Sequence, residues 1–172
     1  MTFGSFWDGL KQIPLTKDRL NVKGDTVNLP TVASRKKQPS SDNPPSVNDN
    51  PKDAGGNAIE APFIFYKNYY YLFASIDYCC KGIKSTYKMI VGRSKNINGP
   101  FVDKEGNDMA KGGGTIVLEG DKNWYGVGHN AAATFDGVDY LFFHGYDAAD
   151  NGRSKLRIEK LRWEDGWPVI DR

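Results

Sequence analysis

Residues 58–75 read AIEAPFIFYKNYYYLFAS. Two runs rich in aromatic and β-branched residues, Phe63–Tyr66 and Tyr69–Ser75, flank the turn-prone pair Lys67-Asn68. That pattern reads as an antiparallel hairpin. A single carboxylate, Glu60, stands at its mouth. The hairpin recurs further along the chain: Tyr71-Leu72-Phe73 matches Tyr140-Leu141-Phe142, an offset of 69 (140 − 71), and both triplets follow a turn. At the same offset Phe65–Lys67 meets Thr134–Asp136, Lys88-Met89-Ile90 meets Arg157-Ile158-Glu159, and Glu60 falls on His129. In the other direction Leu72–Ser75 resembles Thr2-Phe3-Gly4-Ser5 at an offset of 70, so MTFGSFWDG reads as the second strand of an earlier unit.

Strand signals fill the rest. Tyr87–Arg93, Thr115–Leu118, Ala131–Phe135, Val138–His144 and Leu156–Leu161 are short β-prone runs, separated by turn signals such as Asn98-Gly99-Pro100, Asp136-Gly137 and Asn151-Gly152. Helical periodicity is nearly absent. A repeat that supplies three or four strands each time is a propeller blade. The expected fold is therefore all-β, a partial five-bladed β-propeller once the resemblance given below is added, with about two and a half to three blades present. The chain divides into a remnant of a middle blade (1–35), a flexible loop (36–56), a next blade (57–120) and a last blade (121–172). The loop, KKQPSSDNPPSVNDNPKDAGG, has too few apolar residues to offset its ordering entropy; it reads equally as the rim of a binding site or as disorder. Known propellers close with about four to eight blades, so the expectation is a fragment, or a chain whose partner blades come from elsewhere or from self-association.

Composition narrows the function. With 23 Lys+Arg against 21 Asp+Glu, the formal charge of +2 offers no patch that argues for nucleic acid or an anionic membrane. No apolar run approaches the roughly 20 residues of a bilayer-spanning helix, and MTFGSFWDGLKQ does not read as a signal peptide. Cys79 and Cys80 are adjacent and alone; neighbours bridge only with strain, so they read first as two thiols at a strand end and second as redox or metal chemistry.

In a propeller the first strand of each blade runs beside the central channel, so Glu60 and His129 are expected near one another. Desolvation among apolar strands is what lets a carboxyl group keep its proton near neutral pH, the state a general acid needs. The plainer alternatives stay open: a solvated strand-end carboxylate for Glu60, a core or turn histidine for His129, and simple packing for His144 in YLFFHGY.

Several runs together carry a family resemblance: FGSFWDGLKQIPL, NAIEAPFIF, YYYLFASIDYCCKGIKSTYKMIVGRSKNINGPFVDKEG, GGGT, GHNAAA and DGWPVI. In this order and spacing they resemble the endo-1,5-α-L-arabinanases of glycoside hydrolase family 43, five-bladed propellers that hydrolyse arabinan with inversion. The resemblance implies that Glu60 in the IEAP segment is the general acid. It implies that His129 in GHNA, with water, holds an axial calcium ion. It implies that Ser5, Phe6 and Trp7 line the cleft at the sugar subsites, Trp7 having a core position as its alternative. The implied ligand is arabinan or an arabino-oligosaccharide, and the implied location of the parent enzyme is secreted or periplasmic. An inverting glycosidase also needs a base carboxylate roughly 6.5–9.5 Å from the acid. Neither that aspartate nor the aspartate that tunes the acid finds a match here, so the chain is expected to be the C-terminal half of such an enzyme, inactive in isolation. A non-catalytic fragment that binds arabinan weakly, or another family 43 activity such as a β-xylosidase or α-arabinofuranosidase, is the alternative.

Overall fold

In a computed structural model the chain is described over residues 1–4, 8–35 and 58–171. Ser5, Phe6 and Trp7 and the loop at 36–56 lie outside those residues. The described residues form an all-β protein of three antiparallel meanders joined by loops and short 3-10 turns. The first meander is β1 (Thr2–Phe3), β2 (Leu10–Gln12) and β3 (Thr31–Ala33). The second is β4 (Ile59–Lys67), β5 (Tyr69–Ile76), β6 (Lys88–Ser94) and β7 (Thr115–Leu118). The third is β8 (Trp124–Phe135), β9 (Val138–Asp147), β10 (Arg153–Glu164) and β11 (Trp167–Ile170). Strands in each sheet are ordered as in the chain. Every β-prone run of the sequence lies mainly within one of these strands, but β8 and β10 are longer than their apolar centres. Their outer halves, WYGVGH and RSKL, are held by pairing with β9 rather than by composition.

The two large sheets repeat one design, with a correction to the register read from sequence. In the second strands Phe73 corresponds to Phe142 and Ser75 to His144, 69 apart. The first strands are offset by 68. The reason is the hairpin turn: Lys67 pairs with Tyr69 around Asn68 alone, whereas Phe135 pairs with Val138 around Asp136-Gly137. Both β4 and β8 then carry a bulge, between Glu60 and Phe63 and between Gly128 and Ala131. Each bulge holds one non-glycine residue in the left-handed region, Ala61 (φ 52) and His129 (φ 58). Glu60 thus corresponds to Gly128, and His129 to Ala61. In the third strands Met89 opposes Ser75 and Leu156 opposes His144, so Met89 aligns with Leu156, not with Ile158.

Packing follows the same head-to-tail logic. One face of the second sheet, with Leu72, Ala74, Ile76 and Ile90, packs on Leu10, Val32 and Ala33 of the first. Its other face, with Tyr71, Phe73, Met89 and Val91, packs on Val127, Leu141, Phe143 and Leu161 of the third. Leu141 and Phe143 correspond to Leu72 and Ala74, so each sheet offers its corresponding face to the sheet before it. The remaining face of the third sheet bears Phe142, Leu156 and Ile158, the counterparts of Phe73, Met89 and Val91; Leu156 is 70% exposed and Ile158 50%. Between the second and third sheets one polar knot is buried. Asp139 accepts from Lys67, from Thr134 Oγ1 (2.6 Å) and from Trp163 Nε1 (2.8 Å). Burial opposes its ionisation, but the Lys67, Thr134 and Trp163 bonds outweigh burial and hold its carboxyl below the ordinary range.

Candidate active site

The bulge of β4 sets Glu60 at the edge strand of the second sheet, half-buried and opposite Ser75 on β5. A bulge re-aims a side chain that regular pleating would have sent elsewhere. Tyr87, fully buried just before β6, donates its hydroxyl to Glu60 Oε1 at 2.7 Å. Ser75, also fully buried, accepts the His129 backbone N–H at 2.8 Å. Two hydrogen bonds thus lie at this edge of the sheet: the His129 backbone N–H to Ser75, and the Tyr87 hydroxyl to Glu60, the residue that pairs with Ser75.

Tyr87 is fixed from several sides. Its backbone carbonyl accepts the Val127 N–H at 2.8 Å. Its ring stacks on His144 with centroids 5.6 Å apart. Gly128, the counterpart of Glu60, has no side chain because a Cβ there would stand inside the Tyr87 ring. Burial, with the Glu60 carboxylate second, pushes the Tyr87 hydroxyl far up, so it stays a neutral donor at any physiological pH.

His129, exposed, and His144 have ring centroids 6.3 Å apart. Burial pushes His144 down from its ordinary value, with His129 adding to the shift and Glu60 opposing it. Its Nε2 is 3.2 Å from the Tyr146 hydroxyl, which in turn accepts the Cys80 N–H at 2.7 Å. Cys79 and Cys80 are joined as a disulfide, not held as two thiols. The left-handed backbone at Asp77 (φ 68) and Cys80 (φ 65) folds this loop back against Tyr146.

Glu60 and the backbone of His129 thus both meet Ser75, although the two residues are not repeat counterparts. Ser5, Phe6 and Trp7 lie outside the described residues. Tyr87, which the sequence offers only as the start of a β-prone run, and His144, which it offers as packing in YLFFHGY, stand beside Glu60 as well. Their signal was the pair of glycines, Gly126 and Gly128, facing the Tyr87 segment. Asn130, beside His129 and buried, has neither side-chain Nδ2 nor Oδ1 satisfied among the described residues.

The site fits calcium poorly. Among the described residues no group of three or more His, Cys, Asp or Glu side chains could hold a metal ion. His129 would give one nitrogen, whereas calcium takes about six to eight oxygen ligands. Water would have to supply nearly the whole shell.

Comparison with known proteins places these residues in a wider group. The model of Glycosyl hydrolases family 43 matches residues 6–168. An extracellular exo-α-(1→5)-L-arabinofuranosidase, ArbA, from Cellvibrio japonicus is 46% identical over 99% of this chain and 47% of its own length. An extracellular endo-α-(1→5)-L-arabinanase from Bacillus subtilis is 41% identical over 98% of this chain and 45% of its own. The structure of a Cellvibrio cellulosa α-L-arabinanase complexed with arabinohexaose superposes with a TM-score of 0.83 at 46% identity, covering 99% of this chain and 52% of that one. The chain thus spans about half the length of the curated relatives it matches.

Proposed function

The chain belongs to glycosyl hydrolase family 43, and from that premise we propose that it carries the general acid of an arabinan-cleaving glycosidase. The linkage is the α-1,5-arabinofuranosyl bond, the outcome is inversion, and Glu60 is the acid. The observation that carries this reading is the placement of Glu60: a bulge lifts it from the edge strand, and a permanently protonated tyrosine holds one of its oxygens. The other oxygen is left to protonate the glycosidic oxygen as it departs. The base carboxylate that inversion requires is assigned to no residue of this chain. Ser5, Phe6 and Trp7 belong to the same reading as sugar-contacting residues, an aromatic ring offering an apolar face to the furanose. Arabinan or an arabino-oligosaccharide is the substrate, and a secreted or periplasmic location suits so large a polymer.

The finer fold belongs with this proposal. Head-to-tail packing of corresponding sheet faces, with Phe142, Leu156 and Ile158 left open on the third sheet, is how blades follow one another around an axis. It supports a propeller in which the two large sheets are neighbouring blades; the count of five comes from the family resemblance alone.

A second reading has one specific support, the 46% identity to an exo-acting arabinofuranosidase. Product size separates the two: internal cleavage gives a spread of oligosaccharides from debranched arabinan, terminal cleavage a single short product. The acid itself is tested in the protein as its gene encodes it. Glu60→Gln is expected to lower the rate on arabinan by about 10²-fold or more. It should spare an arabino-oligosaccharide bearing a dinitrophenolate leaving group, which departs without a proton. An unchanged rate on arabinan would remove Glu60 from the mechanism.

A further inference from the structure

We propose that Tyr87 is the positioning residue of the acid: by taking Oε1 of Glu60 it leaves Oε2 as the oxygen that delivers the proton. This rests on Glu60 acting as the acid. A buried tyrosine hydroxyl needs one acceptor, and a backbone carbonyl would serve for packing alone; Tyr71, for example, donates to the Gly166 carbonyl at 2.7 Å. Tyr87 instead spends its proton on an ionisable side chain at the edge of a sheet.

The surroundings are built for that bond. Gly128 clears the space for the ring, His144 stacks on it, and the Val127 N–H fixes its backbone. The ring is held in its slot, and its hydroxyl donates to Glu60.

The chemistry follows from the fixed oxygen. As the bond between the anomeric carbon and the glycosidic oxygen breaks, its electron pair goes to that oxygen. The proton on Oε2 passes to it, while a water molecule bonds to the anomeric carbon and gives up one proton to the base carboxylate that inversion requires. Glu60 is left as a carboxylate, and the Tyr87 bond to Oε1 becomes charge-assisted, hence stronger than it was to the acid. An interaction that strengthens as the proton leaves lowers the barrier rather than only binding the ground state.

Tyr87→Phe in the full gene product is the test, because it keeps the ring in its slot and removes only the hydroxyl. With arabinan, kcat is expected to fall about 10- to 100-fold with KM within about twofold. The dinitrophenolate substrate should turn over at the wild-type rate, since it needs no proton. Equal loss on both substrates would assign Tyr87 a structural role, and no loss on either would assign it none; each overturns the proposal. A readout independent of turnover is the buried Tyr87 hydroxyl proton by NMR. It should stand downfield in the wild type, vanish in Tyr87→Phe and move upfield in Glu60→Gln. No movement in Glu60→Gln overturns the proposal too. A wild-type rate on arabinan for Glu60→Gln itself would instead sink the acid assignment, so the two failures remain distinct.

Discussion

The ring of Tyr87 stands where Gly128 would carry a Cβ, and that one missing side chain leaves room for a hydroxyl just before β6 to reach Glu60 on β4 of the same sheet. The repeat makes the relation reciprocal. The position that bears the carboxylate in the second sheet is emptied in the third, and the space is filled by the residue that orients the carboxylate.

Gly128→Ala is therefore expected to do more than crowd a strand. Its methyl would meet the ring at Cε1, Cδ1 and Cζ, and the ring is already stacked on His144. Overpacking of this kind costs about 1–3 kcal/mol, which thermal unfolding would register as a lower Tm. Because relief requires the ring to move, the rate on arabinan should fall about tenfold or more, as in Tyr87→Phe. Wild-type Tm and rate together would mean that the slot is looser than the geometry indicates.

Much of this design was legible in the residues before any coordinates. Aromatic triplets at Tyr71–Phe73 and Tyr140–Phe142 disclosed the repeated hairpin, because alternating apolar strands and their turns leave a direct pattern in sequence. The half-register was not legible. A one-residue turn at Asn68 and a two-residue turn at Asp136-Gly137 differ by a residue, and two later bulges hide the difference from period-2 counting. His129 was thus aligned with Glu60 when its counterpart is Ala61. Tyr87 and His144 escaped for another reason: a residue that acts from within the packed layer has the same sequence signature as one that only fills it. Pairing of Cys79 with Cys80 depended on a left-handed backbone that no composition announces.

Asp139 is the most exacting polar group between the two large sheets. Replacing it with Ala would strand the Trp163 indole N–H and the Lys67 ammonium, the latter also lying over the Trp163 ring. Lys67 is partly exposed and can turn to water, so the expected loss is about 2–3 kcal/mol rather than the larger figure for a fully buried pair. Urea unfolding followed by tryptophan fluorescence would measure it. A shift in midpoint smaller than that of an exposed control such as Glu105→Ala would show that the knot contributes nothing net.

His144 makes stability depend on pH in a window of its own. Burial first, then His129, holds its folded-state value below the ordinary 6.5. Between 6.5 and that lower value the unfolded chain binds a proton that the folded chain refuses, so acid favours unfolding. Stability is therefore level above pH 6.5 and declines as pH falls through the window, with a slope of at most about 1.4 kcal/mol per pH unit for one proton. The carboxylates held low, Asp139 and Asp103 among them, act elsewhere: their contribution is present above about 3.8 and lost only below it. Melting curves from pH 8 to 4.5 should show the decline in the wild type. In His144→Phe, which keeps a ring on Tyr87 but cannot titrate, the decline should flatten. The same slope in both proteins would place the titrating group somewhere other than His144, and would leave Tyr87 stacked on a ring that carries no charge across the whole range.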